Sequence, residues 1–569
     1  MKRILPFLLA FALLLTGCQN AGHTNADADP DTSDTTVENA QTADPVEGMV
    51  NITLSDDGIT VDGQAISSDS SHAVYAANDI IFYLEGQDFA YGEGTEADAH
   101  SQSEADGHTV VHITQPGTYA LSGKLSAGQI AVDLGEDAEK DPEAVVTLVL
   151  NGVDITCTVA PAVIFYNVYE CGSTDAETAT ETVDTSAAGA NVIIADGTEN
   201  YVTGSYVARI YKPDSVELND AGTEVLDAKK LHKYDGAFYS KMSINIDGGE
   251  EDSGVLNIGA ENEGLDSELH LTINGGTIAI ESGNDGINTN EDGVSVTTIN
   301  GGMVLIVVTG ETGEGDGIDS NGWLVINGGT VAAAACSTSG DAGIDSDMGI
   351  YLNGGTVSAY GNMLDRIAGG DATYVVFRFS QRQAGATTYT LKNSAGETSA
   401  YVMPRNDFTY LLLSHEELVP GEYTLWQGDG EIQLAGSAGS AMGQMGNMTP
   451  PGGFDQQQPA MPEGMGNKFQ NNKDGTITLP DGTTVDPSQM PQPGEGQMTP
   501  PDGMTMPEGQ TPPEGMTPPE GQVPPAEGGD RRGGDRFKGQ MGNMEQTTTF
   551  TIVQGGNYFA NVAPAESNS

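Results

Sequence analysis

Between residues 240 and 360 the chain is written in short runs where apolar and polar residues alternate one by one. LHLTI (269–273), GTIAI (276–280) and GWLVI (322–326) are examples. Alternation of period two marks strands with one buried face. Gly and Asn separate the runs, and no helical stripe of useful length appears after residue 18. The runs recur. Asp247-Gly248-Gly249 is followed by Asn274-Gly275-Gly276, Asn300-Gly301-Gly302, Asn327-Gly328-Gly329 and Asn353-Gly354-Gly355, at intervals of 27, 26, 27 and 26 residues. A unit of that length holding several short strands cannot bury its own apolar side. Stacking equivalent units does, which predicts an all-β solenoid, a parallel β-helix with one coil per unit. A β-sandwich is the alternative, but it gives no reason for a constant interval carrying the same residues.

Weaker coils extend upstream through GAFYSK (236–241), ANVIIADGTENYVTG (190–204), AVVTLVLNGVDIT (144–156) and residues 108–134. After Tyr360 the texture changes to hairpin-like runs. The expected organisation is therefore a stack over 51–368 and a small β-cap from 369–436 together with 547–562. A low-complexity Met-, Pro- and Gly-rich insertion occupies 437–546.

A second element recurs between the Gly-Gly turns. It reads Glu263-Gly-Leu-Asp266-Ser-Glu268, Asp285-Gly-Ile-Asn288-Thr-Asn290, Asp316-Gly-Ile-Asp319-Ser-Asn321 and Ala342-Gly-Ile-Asp345-Ser-Asp347. With the Ile turned inward, alternation turns the following Asp or Asn outward. Stacking then makes three columns: Asp266, Asn288, Asp319, Asp345; Glu268, Asn290, Asn321, Asp347; and Glu263, Asp285, Asp316. Asp341 is a further candidate ligand apart from the columns.

Charge sharpens this picture. The chain has 82 Asp plus Glu against 21 Lys plus Arg, a formal net charge of −61. Such a surface repels nucleic acid and anionic lipid, so neither is an expected direct partner. Between Lys241 and Arg366 there is no Lys or Arg against twenty Asp and Glu, leaving those two residues as the only nearby cations in sequence. Carboxylates on neighbouring coils, about 5 Å apart, repel by about 1 kcal/mol in water and about 3–4 kcal/mol at an effective dielectric near 20. A hard cation relieves this. Ca2+ accepts about six to eight oxygen ligands, and Asp, Asn, Ser and backbone carbonyls supply them, with no His or Cys spacing for zinc. The plainer reading of any single Asp is a solvated turn residue beside Gly. The Asn-Gly-Gly column reads as structure: left-handed turns and amides bonded from coil to coil. Trp323, Tyr351 and Tyr360 are either sugar-stacking or packed aromatics, and His270 reads as a packed residue.

The N-terminus carries Lys2 and Arg3, an apolar run Ile4–Leu15, and then Leu15-Thr16-Gly17-Cys18. The run is too short for an ordinary membrane span. It resembles a bacterial lipoprotein signal, which implies cleavage before Cys18, lipidation of its thiol, and an exported protein on the cell surface held to the membrane only by that anchor. Residues 1–18 are then the signal and 19–50 a tether too polar to pack. Three cysteines remain. Either Cys157 and Cys171 form a disulfide and Cys336 is a buried thiol, or all three are reduced.

The order of features extends further. A lipoprotein start, ITQPGTYALSGKLSAGQIAVDL, LVLNGVDIT followed by APAVIFYN, VIIADGTENYVTG, the Gly-Ile-Asp-Ser coils, INGGT turns, and a Met/Gly/Pro-rich insertion before TTTFTIVQGGNYFANV succeed one another. In this the chain resembles a family of secreted bacterial carbohydrate-binding proteins. The resemblance implies a right-handed parallel β-helix, calcium, and an acidic plant polysaccharide such as polygalacturonate as partner. Bound calcium with an open coordination position would bridge the acidic protein to an acidic ligand. The fold also resembles pectate lyases, so a polysaccharide lyase is one alternative and a calcium-stabilised structural surface protein another. Lyase chemistry needs a base near the cation, and the acidic coils hold no Lys or Arg, which favours binding over catalysis.

Overall fold

The computed structural model describes residues 48–437 and 546–561, together with three two-residue strands, Gln470–Asn471, Ile477–Thr478 and Thr484–Val485. The signal segment with Cys18, most of the tether, and nearly all of 437–546 lie outside the described residues. The chain is all-β, with large mixed sheets. Among the described residues helix is confined to Gln102–Ala105 and the 3-10 turn Glu136–Lys140.

Three ladders of parallel strands run through the recurring units. An acidic ladder contains Val163–Phe165, Gly236–Ser240, Glu263–Ser267, Ile287–Thr289 and Ile318–Ser320. An amide ladder contains Ala190–Ile194, Ile244–Gly248, Leu271–Ile273, Val296–Ile299, Trp323–Ile326 and Gly349–Leu352. A third runs through Glu199–Gly204, Val255–Ala260, Thr277–Ser282, Met303–Val308, Thr330–Ala334 and Thr356–Gly361. Each unit gives one strand to each ladder, except that the last joins the acidic ladder only through a bridge from Ile318 to Ile344, so equivalent residues stack.

Stacking builds the core. The amide ladder contributes Ile246, Ile273, Ile299, Ile326 and Leu352, and the acidic ladder Leu265, Ile287, Ile318 and Ile344. The third ladder adds Ile258, Ile280, Ile306, Ala333 and Ala359, and all fourteen are buried in one continuous cluster. Full burial of one such branched side chain is worth about 1.5–3 kcal/mol, so every coil stabilises its neighbours. A second apolar cluster joins Val375, Phe377, Tyr389, Phe408, Leu425, Ile552 and Phe559. Phe408–Ser414 connects it to the stack by pairing antiparallel with both Thr356–Gly361 and Tyr374–Gln383. This covers the open edge of Thr356–Gly361, the last strand of the third ladder.

Both glycines of the Asn-Gly-Gly turns lie close against the preceding backbone, and the second also needs a positive φ. A Cβ on Gly328 would stand 2.5 Å from the carbonyl oxygen of Asn300 in the coil before it. Gly329 has φ +75, a left-handed conformation that costs an L residue about 1–2 kcal/mol. A Cβ on Gly329 would also stand 2.7 Å from the Gly301 carbonyl carbon and the Gly302 oxygen, so Gly329→Ala is expected to cost at least that free energy, read as a lower urea midpoint with β-sheet circular dichroism intact. An unchanged midpoint would refute the account.

Candidate metal centre

Register puts the acidic residues together coil by coil. Asp266 partners Asn288, and Asn288 partners Asp319. A bridge between Ile318 and Ile344 brings Asp345 into line, its N–H donating to the Ile318 carbonyl at 2.7 Å. Asn290, Asn321 and Asp347 follow at the strand ends, each donating its N–H to the coil before, at 3.0, 2.9 and 3.0 Å. Glu263, Asp285 and Asp316 form the third column. Gly264 donates to the Asp285 carbonyl at 3.0 Å and Gly286 to that of Asp316 at 3.1 Å.

Several sequence expectations need correcting. The carboxylates do not face open solvent: Asp266 is 0% exposed, and Glu263, Asp285, Asp316, Asp345 and Asn288 are also buried. Asp319, Asn290, Asn321 and Glu268 are half-buried, and only Asp347 is exposed. Asp341 stands outside the three columns. In the third, Gly317 donates to the carbonyl of Ala342, and Asp341 Oδ2 instead accepts the Gly315 N–H at 2.7 Å and the Ser339 hydroxyl. Nor are Lys241 and Arg366 the only nearby cations. The antiparallel pair Val207–Tyr211 and Lys230–Tyr234 carries in Lys230, 2.8 Å from Glu268 Oε1, and Lys233, which pairs with Asp235. Lys241 itself pairs with Glu139 at 2.6 Å. Cys157, Cys171 and Cys336 are all free thiols, so the reduced alternative holds.

Two clusters of carboxylates emerge. Asp235, Glu263 and Asp266 are buried, and each offers an oxygen within 4.8 Å of the others. Asp316, Asp319 and Asp345 do the same, with Asp319 half-buried. Asp235 escaped the sequence pattern because DGAFYS has one residue more than EGLDS. Phe238 and Tyr239 therefore match Leu265 and Asp266, while Gly236 takes the place opposite Glu263. Asp365 lies outside the pattern as well. It accepts the Ser346 N–H at 3.2 Å, and burial with the neighbouring Asp345 pushes its carboxyl up to about 7.

The first cluster is short of hydrogen-bond donors. Asn290 Nδ2 donates to Asp266 Oδ1 at 2.7 Å, and Asn288 Nδ2 to Glu263 Oε1 at 3.2 Å. Glu263 Oε2, Asp266 Oδ2 and Asn288 Oδ1 are buried with no hydrogen-bond partner. Leaving ionised oxygens in that state costs several kcal/mol. Accordingly, burial and then the charges of Asp266 and Asp235 drive Glu263 well above the usual carboxylate range. Burial followed by Asp235 does the same to Asp266. In the second cluster burial, then Asp345, raises Asp316 well above that range, and burial pushes Asp285 up to about 7. Such groups need either protons or a cation. The donor set is carboxylate and amide oxygen without nitrogen or sulfur, which fits a hard divalent ion such as calcium.

Burial lowers the ammonium of Lys233, but Asp235 beside it wins, holding it above the ordinary lysine value and so protonated. His270 is buried and neutral: its Nδ1 accepts the Val296 N–H at 3.1 Å, and burial lowers it to about 4.

Residues 106–373, the span that contains these ladders, match a family model described as a carbohydrate-binding domain-containing protein. A carbohydrate-binding domain-containing protein of Acetivibrio thermocellus is 29% identical over 173 residues, 30% of this chain and 45% of that protein. The match thus spans less than half of that relative's length. A solved polysaccharide lyase-like protein from C. thermocellum is 20% identical. It covers 53% of this chain and 90% of its own, with a TM-score of 0.28, a likeness too small to bear on the site. Over this span the chain is similar to carbohydrate-binding domains.

Proposed function

We propose that this is a calcium-dependent carbohydrate-binding protein of the bacterial surface, its coils wound as a right-handed parallel β-helix and its ligand an acidic polysaccharide such as polygalacturonate. The lipoprotein-like start, Leu15-Thr16-Gly17-Cys18, supports export and anchoring through Cys18. The observation that carries the calcium is the set of buried, unpartnered oxygens of Glu263, Asp266 and Asn288 beside Asp235. Asp235, Glu263 and Asp266 are closed off from solvent, so an ion there locks coils together. The cluster of Asp316, Asp319 and Asp345 is the more open, through Asp319, and is where an ion would be shared with a ligand carboxylate. Bound calcium supplies the counter-charge that lets a protein of charge −61 meet a polyanion.

Retention on immobilised polygalacturonate is the test. The protein is expected to bind with calcium and elute with EDTA. Asp316→Ala combined with Asp319→Ala should elute early with its circular dichroism unchanged. Retention indifferent to EDTA would overturn the reading. Calcium that raises the melting temperature without any retention would leave a structural, calcium-stabilised protein.

A further inference from the structure

The outward face of the amide ladder carries rows of side chains that the calcium chemistry does not use. One row is Asn274, Asn300, Asn327 and Asn353, all exposed. Asn300, Asn327 and Asn353 each donate Nδ2–H to the Oδ1 of the preceding Asn, at 2.9, 2.8 and 2.7 Å. Two residues earlier on each strand, a second row runs in register through Asn245, Thr272, Thr298, Val325 and Tyr351. The segment between Cys171 and Ala188 folds over this face. Thr185 fastens it, its hydroxyl 2.7 Å from both Asn245 Oδ1 and Thr272 Oγ1, while Asn245 Nδ2 donates to the Thr185 carbonyl at 2.8 Å. Ala179 and Val183 add an apolar hold on Val296, Trp323 and Val325. Between this roof and the sheet lies a cleft of about 640 Å³.

The ladder explains the amides only in part. A primary amide has two N–H donors and two acceptor lone pairs. Bonding to the next coil uses one of each, so an unspent donor and acceptor recur with every coil, about 4.8 Å apart. Hydroxyl-rich chains complement such a row, and the Thr298 hydroxyl and Tyr351 ring line the same cleft. Charge selects further. The charged lining residues are Glu181, Asp184 and Asp247, all acidic, with no Lys, Arg or His among them. Such a lining repels a polyanion that no cation bridges. A straight row of repeated groups also suits an extended chain better than a coiled one. We infer that this cleft binds an uncharged, extended polysaccharide lying along the amide ladder, at a site separate from the carboxylate clusters. The inference shares the carbohydrate class with the function proposed above but does not need calcium.

Affinity electrophoresis of the whole protein through gels containing galactomannan, mixed-linkage β-glucan or dextran tests this in EDTA and in calcium. Retardation is expected in the first two gels, equal in EDTA and calcium, and absent with the coiled dextran. Tyr351→Ala should weaken it by about tenfold, as for an aromatic anchor. Thr298→Lys, which adds bulk to the cleft without removing a packed group, should abolish it with the melting temperature unchanged. No retardation by any neutral polymer overturns the inference. So does retardation that EDTA abolishes, or two folded variants that bind like the wild type. Polygalacturonate retention is measured in parallel, so its failure leaves the result for the neutral chains standing.

Discussion

In EDTA the protein is expected to melt at a higher temperature at pH 5 than at pH 8, and calcium should reverse that order. The carboxyls of Glu263, Asp266 and Asp316 sit well above their ordinary range, and Asp285 and Asp365 at about 7, burial being the first cause of each. For an acid whose folded pKa is raised, the folded state keeps a proton that the unfolded chain has released. Stability therefore falls as pH rises from the unfolded value near 4 to the folded value, about 7 for Asp285 and Asp365. Each tenfold difference in proton affinity between the folded and unfolded chain is worth about 1.4 kcal/mol. His270 and His232, both lowered by burial, work the other way, costing stability as the pH falls below the free histidine range. They are two groups against six, since burial raises Asp235 as well. A net loss of a few kcal/mol lowers the melting temperature by on the order of 5 °C in a chain this long. Calcium replaces the protons and releases them as it binds, so in its presence stability rises with pH. At a hundredfold excess over its dissociation constant it adds about 2.7 kcal/mol. Calorimetric melts at four pH values with and without calcium decide it. A profile flat in EDTA would mean that the acidic clusters are ordinary solvated surface.

The alternation in LHLTI and GWLVI and the spacing of the Asn-Gly-Gly turns made the strands and their register legible. The partnership of Asp266, Asn288 and Asp319 follows from that register. What the pattern could not convey was burial. A column turned away from the core is exposed only if nothing folds over it, and Asp266 is fully buried. Lys230 and Lys233 arrive from a strand pair outside the repeat, so a count of cations within the repeat misses them. Asp235 was hidden by one extra residue. Asp341 lies one residue before the repeat position of Ala342, where it accepts from Gly315 and Ser339. The cleft over the amide ladder depends on the segment Cys171–Ala188, which has no periodicity and is positioned by Thr185, Ala179 and Val183. Local period and interval determine strands; the loops, whose lengths vary, determine what is covered.

The sharpest separation of a cation site from a hydrogen-bonding role comes from neutralising the closed cluster. Glu263→Gln with Asp266→Asn is expected to stabilise the protein in EDTA at pH 8 while removing one calcium site. The two substitutions keep shape and volume, and Asp235 keeps its partner Lys233. They delete charges whose outer oxygens have no donor, and relief of an uncompensated buried charge is worth about 3 kcal/mol. The gain should shrink as the pH is lowered and protons neutralise the wild-type carboxyls, which sit above their ordinary range. Titration calorimetry should lose one binding step and keep the one at Asp316, Asp319 and Asp345. If the carboxylates served the fold as acceptors instead, the variant would be weaker at every pH and would bind calcium as before. Stabilisation without metal combined with loss of metal affinity has no explanation in packing alone. It follows only if these residues are held in place, at a cost to the bare protein, for an ion to occupy.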